Sequence, residues 1–191
     1  MQTQSGHGSR QQPDELCDFI DLLKAENVRS YLEIGACHGD TFHAVMSALP
    51  KNSKGVAVDL PESAAWGKPN SRAALEAAID DLIEKGYKAD AVWGDSASDE
   101  VKQTVFLNQP YDAVFIDGDH RYDGVKADWL AYGPLARIVA FHDIDGDGQA
   151  TKNGQMRVEV PRLWREIKGD YRHSCEIIGA KRGMGIGVLW R

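Results

Sequence analysis

The chain has 191 residues, 42% of them apolar and 27% charged, with a formal net charge of −7; this is the balance of one soluble globular domain and not of a disordered chain. Lys and Arg are scattered, which counts against nucleic acid as the main partner, because phosphate binding needs a concentrated basic face. Cys17, Cys37 and Cys175 are odd in number and far apart, with no CxxC pair, so neither a disulfide framework nor a structural zinc site is indicated, and a reducing, cytoplasmic setting is expected.

Residues 1–12 are polar, without the apolar run of a signal peptide, and read as a flexible tail ahead of a single domain over 13–191. No later stretch approaches the ~18 apolar residues of a membrane span. From Pro13 the pattern turns helical, with Leu16, Phe19, Ile20 and Leu23 on one face. The β-prone Tyr31-Leu32-Glu33-Ile34 follows, then the turn Gly35-Ala36-Cys37-His38-Gly39. Phe42, Val45, Met46 and Leu49 repeat the helical spacing until Pro50, and Gly55-Val56-Ala57-Val58-Asp59 is a second strand. Strand, glycine turn, helix and strand make a βαβ unit, which implies a parallel sheet.

The alternation continues. Leu75, Ile79, Leu82 and Ile83 mark a helix closed at Gly86, and residues 88–93 form a third strand. Ser98 caps a short helix running to Phe106. Asp112-Ala113-Val114-Phe115-Ile116 is a buried strand ending at Asp117, and Val125 and Trp129 belong to the helix after it. Ile138-Val139-Ala140-Phe141 is a fifth strand ending at His142-Asp143. Val160, Leu163, Trp164 and Ile167 make an amphipathic helix with Pro161 in its first turn. Residues 174–178 and 185–190 are short enough and close enough to pair as an antiparallel hairpin at the sheet edge. The polar, Gly-rich stretch 144–157 suits a mobile loop over a site.

In open parallel sheets, ligands bind beyond the carboxyl ends of the strands. Here those ends carry Glu33 and Gly35, Asp59, Asp95, Asp117 with Asp119 and His120, and His142 with Asp143. Buried carboxylates are costly unless paired, so a core has no use for this pattern and a polar site does. Asp59 can accept both ribose hydroxyls of an adenosine, or cap the chain before Pro61. Gly94-Asp95-Ser96 can meet an adenine edge, or cap a helix.

Taken in order, Glu-Ile-Gly-Ala-x-x-Gly, Val-Asp, Gly-Asp-Ser, Phe-Ile-Asp-Gly-Asp-His-x-Tyr-x-Gly-Val-x-x-Asp and Phe-His-Asp resemble class I S-adenosylmethionine-dependent methyltransferases. Within that class they are similar to the methyltransferase domain family 24 type, which includes proteins labelled cephalosporin-hydroxylase-like or macrolide-sugar O-methyltransferase-like. The resemblance runs over residues 31–191. It implies a Rossmann-like α/β sandwich with a mostly parallel seven-stranded sheet and an antiparallel C-terminal edge hairpin.

The resemblance also implies a site. Glu33 and Gly35 would line the methionine end of the cofactor, Asp59 the ribose, and Asp95 with Ser96 the adenine. Ala36, Gly39, Leu60, Gly94 and Asp117 complete the cofactor-binding set. Asp117, His142 and Asp143 would hold a divalent metal, Mg²⁺, with Asp117 and Asp143 the better ligands because Mg²⁺ prefers oxygen. His120, three residues after Asp117, would be the base, with His142 its rival. The implied reaction is O-methylation of a small hydroxylated acceptor, a sugar or a secondary metabolite.

Two other classes are set beside this one. A nicotinamide-dependent oxidoreductase lacks support, since GxGxxG and Tyr-x-x-x-Lys are both absent. A non-catalytic nucleoside-binding protein would not need Asp117, His120, His142 and Asp143 together. Asp143-Ile144-Asp145-Gly146-Asp147-Gly148 opens like a calcium loop, but Gly154 stands where the loop needs Glu. Trp66 and Trp93 could border an adenine or an acceptor, and Cys37 reads as a small packing residue with no base beside it. The acceptor would be chosen by residues 61–70 and 144–157. An exposed N-terminal helix could pack on a second copy of the chain.

Overall fold

The first strand, β1 (Ser30–Ile34), is buried from Tyr31 onward, and a strand of that kind is stable only where helices cover both faces of its sheet. The computed structural model describes residues 11–60, 71–146, 158–180 and 183–191. The expected loop 61–70, most of 144–157 and the first ten residues of the expected tail lie outside them. The elements after β1 are α2 (Asp40–Ala48), β2 (Lys54–Asp59), α3 (Ser71–Glu84), β3 (Lys88–Trp93), α4 (Asp99–Leu107) and β4 (Tyr111–Ile116). Then come α5 (Tyr122–Tyr132), β5 (Ala136–His142), α6 (Val160–Ile167), β6 (His173–Ile177) and β7 (Ile186–Trp190), with α1 (Pro13–Ala25) preceding them all.

The sheet order is β3-β2-β1-β4-β5-β7-β6. The first five strands are parallel, and β7 runs antiparallel to both β5 and β6. The final strand is therefore the inner one of the C-terminal pair, and β6 is the edge. After β3 the chain crosses back to lie on the other side of β1, so β1 and β4 flank the point where the winding reverses. Ligands bind in the crevice at such a point.

Alternation along the strands divides the core into two layers. Leu32, Ile34, Val56, Val58, Val114, Ile116 and Phe141 face α4, α5 and α6, meeting Val105, Val125, Leu163 and Trp164. Tyr31, Ala57, Ala113, Phe115 and Ala140 face α1, α2 and α3, meeting Phe19, Leu23, Phe42, Met46 and Leu75. Small residues on this second face let large rings settle, as Phe19 does at 5.2 Å from Phe115. A doubly covered sheet of this order is the expected Rossmann-like sandwich.

Helix starts follow the residues that announce them. Pro13 opens α1, with Asp14 and Glu15 in its first turn, and the Ser98 hydroxyl accepts from the Val101 N–H at 3.3 Å to cap α4. One boundary differs from expectation with consequences. β5 extends through His142, which pairs with Ile186, so this histidine is a buried strand residue and not part of a loop. None of the described helices is long and apolar enough to cross a membrane.

Candidate functional site

The carboxyl end of the sheet presents two distinct arrangements. On the β1–β3 side, Gly35 adopts φ +91°, and a Cβ there would fall 2.3 Å from the Asp117 carbonyl oxygen, so only glycine fits. The Gly35 and Ala36 amides both donate to the Val58 carbonyl, at 2.8 and 3.3 Å. Left-handed backbone at Cys37 and Gly39 completes a tight turn into α2, and the Cys37 amide donates to Asp59 Oδ2. Burial pushes the Asp59 carboxyl up, against the pull of the Cys37 and Leu60 amides. Leu60, just past β2, keeps much of its side chain exposed.

Glu33 lies beneath this turn, fully buried, with the Tyr31 hydroxyl donating to Oε2 at 2.7 Å. Burial pushes its carboxyl well above the usual range; the Tyr31 hydrogen bond opposes that, and the charges of Asp117 and Asp59 add to it. The Gly94 amide donates to the Asp59 carbonyl at 2.9 Å, which ties the turn after β3 to the end of β2. Asp95 Oδ1 accepts from the Ala97 amide at 2.9 Å, so this carboxylate serves the turn. Ser96 is held from α5: its carbonyl accepts from the Tyr132 hydroxyl at 2.6 Å, and the Asp128 carboxylate lies near its side chain.

On the β4–β5 side, acids and histidines hold one another. His120 bridges two carboxylates, with Nδ1 2.8 Å from Asp143 Oδ2 and Nε2 3.3 Å from Asp117 Oδ1. His142 Nδ1 lies 2.9 Å from the same Asp117 oxygen and 3.4 Å from Asp143 Oδ1. Burial alone would raise Asp117, but the His142 charge and the hydrogen bonds of both histidines hold it well below the usual carboxylate range. Burial alone would lower His120; its bonds to Asp117 and Asp143 outweigh that and push it up to about 10. His142 is raised in the same way, chiefly by the Asp117 charge acting against burial. Asp143 adopts φ 59°, a conformation uncommon outside glycine that clusters at functional sites.

Ligand atoms of Asp117, His120 and Asp143 lie within 4.8 Å of one another, close to the roughly 4.2 Å across an octahedral ion with ~2.1 Å bonds. The expected set was Asp117, His142 and Asp143. The geometry brings His120 into the cluster and sets His142 deeper, at the end of β5, with its Nε2 buried and unpartnered among the described residues. The deeper placement follows from the extension of β5.

Cys37 is a correction. It is exposed, with its Sγ 3.2 Å from His38 Nδ1; the left-handed backbone at this residue, invisible in composition, places the thiol beside the imidazole and not in the core. Trp66 lies outside the described residues, and the Trp93 ring lies under the Arg72 guanidinium at 5.2 Å. Sequence reasoning also missed Gln11. It fell within the expected tail, yet it is buried and its side-chain amide donates to Asp117 Oδ2 at 3.0 Å. Asp128 was quoted in a motif but given no role; its spacing four residues before Tyr132 on α5 was the available signal.

A family described as a methyltransferase domain matches residues 32–144, the stretch that runs from β1 past the end of β5. Among curated proteins none matches the chain. Many solved structures share its fold, among them the following three. An O-methyltransferase from Bacillus cereus, in complex with SAH, has a TM-score of 0.68 and 15% identity, covering 97% of this chain and 84% of that one. A Staphylococcus aureus protein assigned as a caffeoyl-CoA O-methyltransferase has a TM-score of 0.70 and 16% identity, covering 96% and 86%. The O-methyltransferase TomG from Streptomyces achromogenes, involved in tomaymycin synthesis and in complex with SAM, has a TM-score of 0.64 and 14% identity, covering 95% and 81%. The family match takes the place of the oxidoreductase alternative. With its match over more than half of the sequence, the chain belongs to this methyltransferase domain family and is a class I S-adenosylmethionine-dependent methyltransferase.

Proposed function

We propose that the chain transfers a methyl group from S-adenosylmethionine to a hydroxyl oxygen of a small acceptor, with Asp117, His120 and Asp143 as the centre that handles the acceptor's proton. The observation that carries this reading is the placement of that cluster across the β1–β4 crevice from the glycine turn and Asp59. Glu33 and Gly35 would meet the methionine end, Asp59 and Leu60 the ribose, and the turn Gly94-Asp95-Ser96 the adenine. The methionine ammonium would offset the burial of Glu33. Three solved relatives of the fold carry O-methyltransferase names, two of them with SAH or SAM in the structure.

The donor set fits a divalent cation such as Mg²⁺: Asp117 and Asp143 would hold it through carboxylate oxygens, which leaves the His120 imidazole beside them for the proton. When bound, such an ion would lower the pKa of the acceptor hydroxyl. The protein's own residues do the rest. Transfer forms an oxygen–carbon bond as the sulfonium carbon–sulfur bond breaks in line, so the turn over residues 35–39 must fix one partner and the β4–β5 side the other. His120 accepts the hydroxyl proton. Its carboxylate partners favour imidazolium, and a cation held by Asp117 and Asp143 would oppose that support. His142 is the poorer base, because its side chain is 5% exposed against 14% for His120. A sugar or secondary-metabolite acceptor and a cytoplasmic setting belong to the same reading.

The test is calorimetric titration of S-adenosylhomocysteine with and without Mg²⁺, on the wild type, Asp59→Ala and Asp117→Ala. Binding that weakens in Asp59→Ala, with a magnesium-dependent heat that disappears in Asp117→Ala, supports both halves. Absence of any binding to the wild type would overturn the cofactor assignment.

A further inference from the structure

Residues 11–15 lie outside the matched stretch 32–144, yet they reach the centre of the site. Asp117 has two oxygens with different company. Oδ1 faces both histidines, His142 at 2.9 Å and His120 at 3.3 Å, while Oδ2 accepts from the Gln11 side-chain amide at 3.0 Å. Gln11 is only 6% exposed although it precedes the first helix. Its amide is the suitable donor for this position. A lysine would neutralise the acid, and a carboxylate would repel it; an uncharged N–H fixes the side chain and leaves its charge intact.

The segment is anchored by its next residues. The Gln12 side-chain amide donates to Glu15 Oε1 at 2.8 Å, and the same fully buried oxygen accepts from the Gly179 N–H at 2.8 Å. Asp14 Oδ2 accepts from the Ala180 N–H at 3.0 Å. A Cβ on Gly179 would fall 2.9 Å from Glu15 Cγ, so the two backbones are in close approach. The far end of the same β6–β7 connection holds the chain just after Asp143: the Asp145 amide donates to the Met184 carbonyl at 2.7 Å, and the Ile144 amide to the Gly185 carbonyl at 3.3 Å. Hydrogen bonds at the two ends of the β6–β7 connection thus lie behind the two acids.

We propose that Gln11 is a positioning residue of the acid–histidine centre, fixing Asp117 so that Oδ1 is presented to the cluster, and that residues 11–15 are the strap that closes this side of the site. The part concerning a cation rests on the function proposed above. The test combines three readouts on the full chain: the Gln11 side-chain amide signal by NMR, Mn²⁺ binding by electron paramagnetic resonance, and S-adenosylhomocysteine affinity by calorimetry. In the wild type the Gln11 signal should stand apart from those of exposed glutamines and move toward them in Asp117→Asn. Gln11→Ala should weaken Mn²⁺ binding about fivefold or more while the S-adenosylhomocysteine affinity stays within about twofold, which also shows that the variant folds. A Gln11 signal at the exposed position, or wild-type Mn²⁺ affinity in Gln11→Ala, overturns the proposal. Failure of the wild type to bind Mn²⁺ overturns the metal reading alone, and the amide signal then decides the role of Gln11.

Discussion

The two sides of the crevice treat their acids in opposite ways. Around β1, β2 and β3, carboxylates are met by backbone amides: Cys37 N–H for Asp59 and Ala97 N–H for Asp95. Around β4 and β5, Asp117 and Asp143 are met by the ionisable rings of His120 and His142. Amides are fixed partners that cannot leave, so the first side is a preformed cradle. Imidazoles can lose their protons or be displaced, so the second side is a place where charge is expected to change during turnover. The difference separates holding from reacting.

The largest effect that would break this comparison comes from the reacting side. Asp117→Ala is expected to lower methyl transfer by about a thousandfold or more, because it removes the acid shared by both histidines. Single-turnover assays with labelled methyl donor and a panel of hydroxylated acceptors check this. A loss below tenfold would remove Asp117 from the reaction. Next, Asp59→Ala should weaken S-adenosylhomocysteine by about 2–3 kcal/mol, roughly 30- to 150-fold, as expected for hydrogen bonds to a charged group. Calorimetry with and without chelator sharpens the contrast, since EDTA should leave the wild-type affinity within about twofold while abolishing transfer.

The smallest expected effect concerns Asp128, which lies behind the turn of the cradle. Burial pushes this carboxyl from 3.8 up to about 6, with Asp119 and Asp95 adding to the effect. The sign follows from proton counts. Between these values the folded chain binds more protons than the unfolded one, so the penalty is absent below the unfolded value and complete above about pH 6. Asp128→Asn removes the buried charge. It is expected to stabilise the protein at pH 7 by about 1–3 kcal/mol, with melting higher by about 3–8 °C, and to give no gain near pH 4. Paired melting curves at the two pH values check this; an equal gain at both would assign the effect to packing.

The parallel core was legible because its strands are apolar on both faces, and its helices because their apolar positions repeat at helical spacing. Candidates Glu33, Asp59, Asp117, His120 and Asp143 were legible as polar residues at or just past the carboxyl ends of such strands. Gln11 was not, since a glutamine in a polar opening segment has no pattern to distinguish it. His142 was placed just past the fifth strand because β-propensity fades after Phe141, while the pairing partner that extends β5 lies 44 residues further on at Ile186. Cys37 was assigned to packing because the φ of 50° that turns it outward has no signature in residue type.

What the sequence determined by itself was the order of strands and helices and the row of acids at the strand ends. These follow from local spacing and from the cost of burying apolar and charged groups. What only the tertiary structure decided was which of those groups touch. His120 falls between Asp117 and Asp143, Tyr132 on α5 reaches the Ser96 carbonyl, and Gln11 closes on an acid 106 residues away. Apart from Asp117 and His120, three residues apart, these contacts join segments remote in sequence, brought together by the pairing of β4 with β1 and β5.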